Sequence, residues 1–311
     1  MVRGRFRGTH VAVLQGGLSA EREISERSGC AVTAALRGLG YRVTPVAVDR
    51  DLPLRLARLR PDVAFNALHG RYGEDGCVQG LLELMGIPYT GAGVLPSALS
   101  MNKALAKTLW RAHGLPTPRW TLVVAGQRPR DLPAPLPLVV KPSSEGSSLG
   151  VSIVRRRRDL GRALRAASRF GGEVLIEEYV PGQEVTVGIL DGRALGALEV
   201  VAQGEFHTYE VKYTPGREDF HMPARLAAAT MRRVLALAEA AHAALGGGPY
   251  SRIDFRVHGR RAYLIELNAL PGLLTDVSYL PRIAAHAGIT FPALCERILD
   301  RATLGVRERR R

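Results

Sequence analysis

Apolar and polar positions between residues 9 and 100 switch between two periods. Thr9 to Leu14, apolar from Val11 onward, reads as a strand, and Gly16-Gly17 follows as a turn. Ser19 to Leu39 has the helical period, with Ile24, Ala31 and Ala35 on one face. Tyr41 to Val48 and Asp62 to Leu68 are two further strands, Gly76 to Met85 a helix, and Ile87 to Thr90 a short strand. Strand alternating with helix predicts a doubly wound α/β unit on a parallel sheet. Such sheets bind ligands outside the carboxyl ends of their strands, and Glu21 and His69 both fall just after a strand.

The pattern then changes. Pro96 to His113 reads as one helix carrying Lys103, ended by Gly114-Leu-Pro-Thr-Pro, and the Pro- and Arg-rich segment 126–137 reads as a surface loop. A strand ending at Lys141, a Gly/Ser loop, a strand over 151–154, a helix and the strand Glu173 to Tyr179 make a small α+β unit. Glu184 to Leu190 and Ala194 to Val201 form a hairpin around Asp191-Gly192. A polar loop over 203–222, an amphipathic helix from Ala224 to Leu245, a hairpin of Ser251 to Val257 with Arg261 to Leu267, and a helix from Phe291 to Arg301 complete the chain. Three units are expected: residues 1–98, 99–180 and 181–311.

Composition narrows the function classes. No apolar run approaches the roughly 20 residues of a membrane span, and the basic stretch Met1 to His10 leads only into a short strand, unlike a secretory signal. Cys30, Cys77 and Cys295 are scattered without a disulfide or zinc spacing, so a reducing cytoplasm is expected. A net charge of +14 suggests nucleic acid, but the charge is spread along the chain and the aromatic content of 6% offers no stacking platform. The single cluster, Arg155 to Arg158, reads as a solvated turn. Neither nucleic acid nor membrane is expected as a partner. Of the 43 basic residues only Lys103, Lys107, Lys141 and Lys212 are lysine. A retained lysine is a compact point charge where arginine is a planar fork, which suits a tight phosphate site. Lys107, on a helix face, fits chance retention.

Several groupings carry chemistry. In Val139 to Gly150 a lysine closes a strand and small hydroxyl residues fill the following loop, which suits an anionic phosphate chain. Strand alternation places Arg252 with Asp254, and Glu266 with Asn268. If that hairpin pairs them, two carboxylates and an amide oxygen converge as hard donors for Mg²⁺; otherwise they form a solvated face with an Arg–Asp pair. Glu177 to Val180 either grip an adenine edge, with Glu184 near the ribose, or are exposed acids at a strand end. His69 is a binding group or a satisfied strand-end histidine, and Glu21 sits in a first helical turn, where an acid also serves the helix dipole. Gly16-Gly17 lacks the full dinucleotide-binding pattern, no Walker A loop occurs, and no Ser-His-Asp or Cys-His arrangement stands out.

Taken in order, these motifs resemble the D-alanine–D-alanine ligases of the ATP-grasp superfamily over nearly the whole chain. The blocks are Gly16 to Ser25, His69 to Gly80, Ser100 to Lys103, Val140 to Ser148, Glu184 to Val187, Tyr209 to Tyr213, and Arg252 to Asp254 with Asn268 to Gly272. The resemblance implies an ATP-grasp fold and formation of D-alanyl-D-alanine through a D-alanyl phosphate, for peptidoglycan precursors. It implies that Lys103, Lys141 and Lys212 neutralise phosphates, that Glu177, Tyr179 and Val180 hold adenine, and that Glu184 holds the ribose. Asp254, Glu266 and Asn268 would hold two Mg²⁺ (or Mn²⁺). Glu21 would pair with the first D-alanine ammonium, with His69 beside it. Arg252 and the Gly272 N–H would stabilise the oxyanion, and Ser278 or Tyr279 would bind the second carboxylate. Ser147 and Tyr213 would link to Glu21 and close the loop 203–222 over the site. A homodimer is also implied.

The chain departs from the family pattern at Ala269, where a hydroxyl residue is usual, in Leu273 to Leu280, one residue longer than common, and at His207, where an aromatic is frequent. Tyr213 after Lys212 favours a dipeptide over a depsipeptide product. Two other readings remain: a different ATP-grasp ligase using the same acyl-phosphate chemistry, and a non-catalytic nucleotide- or nucleic-acid-binding protein.

Overall fold

The computed structural model describes residues 4–146, 148–202 and 218–305. Its first sheet has three strands in the order β2-β1-β3, all parallel: β1 (His10–Gly16), β2 (Arg42–Val48) and β3 (Val63–Asn66). Side chains alternate across β1, so Val11 and Val13 enter one core and Ala12 and Leu14 the other. The first core packs against α1 (Arg22–Gly38) and takes Leu294, Cys295 and Ile298 from the C-terminal end of the chain. The second packs against α2 (Leu52–Leu59) and α3 (Cys77–Leu84). Both sheet faces are covered, as the apolar runs require. The α1 face is Ile24, Ser28, Val32 and Leu36; Ala31 and Ala35 lie at its edge. The expected strand at Ile87 to Thr90 reduces to single bridges from Tyr89 to Ala64 and Thr303.

The expected helix 96–113 is two helices, α4 (Val94–Met101) and α5 (Lys103–Ala112). The apolar period runs through the break, which is why the sequence conceals it. Asn102 adopts φ −90° and ψ 102°, and its side chain accepts hydrogen bonds from the N–H groups of Ala104 and Leu105, both at 3.0 Å. The Lys103 N–H donates instead to the Ser143 carbonyl at 2.8 Å, tying the start of α5 to the loop after Lys141. Asn102→Ala is expected to cost about 1 kcal/mol and to lower the melting temperature in scanning fluorimetry. Asn102→Asp, which keeps the accepting oxygen, should restore it.

A four-stranded sheet follows in the order β4-β7-β5-β6, made of β4 (Trp120–Val124), β5 (Leu138–Pro142), β6 (Ser152–Val154) and β7 (Glu173–Glu178), with α6 (Leu160–Ala167) packed on it. The five-stranded sheet has the order β10-β9-β8-β11-β12, with β8 (Gln183–Leu190), β9 (Arg193–Ala202), β10 (Glu218–His221), β11 (Tyr250–His258) and β12 (Arg261–Asn268). Both hairpins form as the alternation predicts. The end of the expected 203–222 loop is β10, which pairs with β9. One face of this sheet, including Ile253, Phe255 and Val257, packs with Trp110 against α7 (Ala228–Leu245), which starts four residues later than expected. A helix α8 (Tyr279–His286), which the sequence pattern did not reveal, precedes α9 (Phe291–Asp300).

Candidate active site

Residues 252, 254 and 256 on β11 face away from α7, and β12 pairs opposite them with Arg252 against Asn268 and Asp254 against Glu266. Plain alternation along β12 would put Glu266 on the same face as Ala262 and Leu264, inside the core. A bulge prevents this. The register shifts from Asp254↔Glu266 to Phe255↔Leu264, so Ile265 is an extra residue. Ala262, Leu264 and Leu267 are buried, while Glu266 and Asn268 turn to the open side with Asp254. Re-aiming a side chain is a common service of a bulge beside a site.

Asp254 gathers this face. Arg252 donates to its two oxygens from Nε at 2.9 Å and Nη2 at 2.8 Å, Asn268 Nδ2 donates at 3.1 Å, and the Thr186 hydroxyl donates at 2.6 Å. Burial works against the Arg252 charge, but Asp254 outweighs it and holds the guanidinium protonated above its ordinary range. The Arg252 guanidinium also lies 5.4 Å from the centre of the Tyr279 ring.

A cleft of about 140 Å³ opens between the two antiparallel sheets, lined by Lys103, Lys141, Glu145, Tyr179, Val180, Glu184, Asp254 and Glu266 among others. Lys103 Nζ lies 3.1 Å from Glu266 Oε2 and donates to the Glu145 carbonyl at 2.5 Å. Lys141 Nζ lies 2.6 Å from Glu177 Oε2. Arg256, which the sequence reading did not single out, donates to the Val180 carbonyl at 3.2 Å and to Glu184 at 3.4 Å. Its signal was available, since it continues the 252, 254 alternation. Arg155 reaches the same edge, 5.9 Å from the Tyr179 ring centre, although the rest of its run is exposed as expected.

Glu177 lines the same cleft and is not the exposed strand-end acid that one reading of the sequence gives. Its side chain is buried, and its carboxylate lies between two lysines, Lys141 on one oxygen and Lys107 on the other at 2.6 Å. Burial opposes this carboxylate, but the two ammonium groups hold it below the usual range. Lys107 is likewise no chance survivor on a helix face. It is fully buried, and it also meets the Thr117 hydroxyl at 2.7 Å and the Leu264 carbonyl at 3.3 Å. Burial outweighs the upward pull of Glu177 and brings its ammonium down to about 8, which leaves it charged at neutral pH.

A second cleft, of about 100 Å³, joins the first where Glu266 and Gly146 line both. It holds Glu21, His69, Arg252, Asn268, Gly272, Ser278 and Tyr279. Glu21 is the residue before α1 rather than inside its first turn. Its carboxylate lies over two glycines: a Cβ on Gly70 would come within 2.7 Å of Glu21 Oε2, and one on Gly146 within 3.5 Å. The His69 ring is buried, with Nε2 at 3.2 Å from the Ser28 hydroxyl and Nδ1 at 3.5 Å from Glu74. It is thus both a satisfied strand-end histidine and a wall of the cleft. Ser278 precedes α8, and its hydroxyl accepts from the Leu274 N–H at 3.0 Å. A Cβ on Gly272 would come 2.6 Å from that hydroxyl, so the close approach of the two segments needs glycine here. Ser147, His207, Lys212 and Tyr213 lie outside the described residues.

Lysines and carboxylates facing one cleft between two antiparallel sheets, with a second polar cleft beyond it that is walled in part by the parallel-sheet unit, define an ATP-grasp enzyme. Comparison with known proteins narrows the class. Residues 109–300 match the family model described as D-ala D-ala ligase C-terminus, and residues 54–92 match D-ala D-ala ligase N-terminus. The chain is 51% identical to a D-alanine–D-alanine ligase of Geobacter sulfurreducens over 99% of its length and 98% of the relative's. It is 50% identical to one of an Anaeromyxobacter species over 97% and 99%. The crystal structure of D-alanine–D-alanine ligase from Bacillus anthracis complexed with ATP superposes with a TM-score of 0.83 at 32% identity, covering 94% of this chain and 97% of that one. The chain belongs to the D-alanine–D-alanine ligase family.

Proposed function

We propose that the protein joins two molecules of D-alanine into D-alanyl-D-alanine with ATP, releasing ADP and phosphate. The observation that carries this reading is the junction of the two clefts at Glu266, where a nucleotide held on one side meets an amino acid held on the other. ATP lies in the first cleft, with Lys103 and Lys141 toward its phosphates, Tyr179 and Val180 along the adenine, and Glu184 near the ribose. The second cleft holds the first D-alanine, its ammonium group facing Glu21. Its carboxylate attacks the γ-phosphoryl group at the junction, ADP leaves, and an acyl phosphate forms. The second D-alanine sits toward Ser278 and Tyr279. Its neutral amine attacks the acyl carbon, phosphate departs, and the nitrogen loses its proton. Arg252 and the Gly272 N–H face the oxyanion of that step.

Asp254, Glu266 and Asn268 fit Mg²⁺ (or Mn²⁺) by their hard oxygen donors on one open face of the β11–β12 ladder. Among the described residues no three His, Cys, Asp or Glu side chains converge as a closed metal site. A cation held there would spread the phosphate charge and draw electron density from the γ-phosphoryl group. Lys212 keeps the phosphate role that the resemblance implies, and Ser147 and Tyr213 the link to Glu21 that closes the site against water, with Tyr213 favouring an amine as second substrate. We retain the units 1–98, 99–180 and 181–311, a homodimer and a cytoplasmic location as parts of the same proposal. No helix among the described residues is long and apolar enough to cross a membrane.

Purified protein given ATP, Mg²⁺ and D-alanine is expected to release phosphate in step with dipeptide. Release at neutral pH with D-lactate, and not D-alanine, as second substrate would overturn the assignment. ATP-independent retention on DNA with a steep salt dependence and no phosphate release would favour a nucleic-acid-binding protein instead.

A further inference from the structure

The fourth lysine of the chain lies behind the nucleotide cleft rather than in it. Lys107 is fully buried and does not line either cleft, yet its ammonium group is ion-paired with Glu177 Oε1 and donates to the Thr117 hydroxyl and the Leu264 carbonyl. Its partner Glu177 gives the other carboxylate oxygen to Lys141, which does line the cleft. The buried group is therefore two cations sharing one anion, with a net charge of +1. A buried ion pair gains little stability over an apolar replacement, so packing alone gives no reason for a three-membered charged group here.

We infer that Lys107 is a positioning residue for ATP: by holding half of the Glu177 carboxylate it keeps Lys141 placed yet incompletely neutralised, so that the remaining positive charge is available to the phosphate chain. This rests on the proposed nucleotide role of Lys141. Without Lys107, Glu177 has one partner left. The pair Glu177–Lys141 is then neutral, and phosphate oxygens compete with an undivided carboxylate for the same ammonium group. Removing the Glu177 charge as well returns the net charge to +1, all of it on Lys141.

The charge count makes a prediction that packing does not. Binding of ATP with Mg²⁺, in the absence of D-alanine, is measured by titration calorimetry for the wild type, Lys107→Met, and Lys107→Met with Glu177→Gln. Lys107→Met is expected to raise the Kd about tenfold or more, the scale of one charged hydrogen bond. The double variant is expected to bind ATP at least about threefold more tightly than Lys107→Met. A purely structural Lys107 would make the double variant at least as weak as the single one. Lys107→Gln keeps N–H donors for Thr117 and Leu264, and it carries the same expectation if Lys107→Met does not fold. A wild-type Kd in the folded single variant, or no recovery in the double, overturns the inference. A wild type that neither binds ATP nor ligates D-alanine overturns the ligase reading itself.

Discussion

Arg252→Lys is expected to lower the turnover of dipeptide synthesis by about 10²- to 10³-fold, the scale of losing one oyxanion-stabilising donor, while the protein stays folded. The guanidinium grips both oxygens of Asp254 and still faces the cleft that holds Glu21 and Gly272. A lysine keeps the positive charge, so Asp254 is not left buried without a counter-charge. It cannot keep the two-point geometry, because an ammonium group is a point donor where a guanidinium is a planar fork. The loss should therefore fall on the chemical step rather than on ATP binding. Steady-state phosphate release, with a melting curve as control, separates the two. Turnover within about fivefold of the wild type would remove Arg252 from the oxyanion role.

Lys141→Arg is expected to reduce kcat/KM for ATP by about 100-fold, equivalent to one or two charged hydrogen bonds. The Lys141 side chain is almost wholly buried, and its ammonium group reaches Glu177 at 2.6 Å. Arginine is longer and broader, and its fork would pair with Glu177 through two nitrogens, displacing the group that faces the phosphates. The charge survives and the shape does not. Near-normal turnover would refute the close contact between this side chain and the nucleotide.

Lys141 was visible in the sequence because it closes an apolar strand ahead of a Gly/Ser loop, a purely local pattern. Lys107 was not, because the helical period around it reports which face a residue occupies and says nothing of what covers that face. Its acceptors come from Thr117, Glu177 and Leu264, the last 157 residues away. The break at Asn102 was hidden for a related reason. The local apolar period continues across it, and the Lys103 N–H leaves the helix only because the Ser143 carbonyl stands there to accept it. Arg256 was legible in principle, on the same alternation as Arg252 and Asp254, but its acceptors lie on another strand and its turn.

The amino-acid order by itself determined the alternating α/β beginning, the two hairpins with their turns and the loop after Lys141, since each depends on contacts between near neighbours. Only the tertiary structure decided which way the chemistry points. Alternation along β12 would bury Glu266 with Leu264, and the extra residue Ile265 turns it out beside Asp254. A bulge exists as one strand's relation to another, so no single strand's pattern can state it. The same holds for the pairing of Lys141 on β5, whose carboxylate partner is shared with Lys107 on α5.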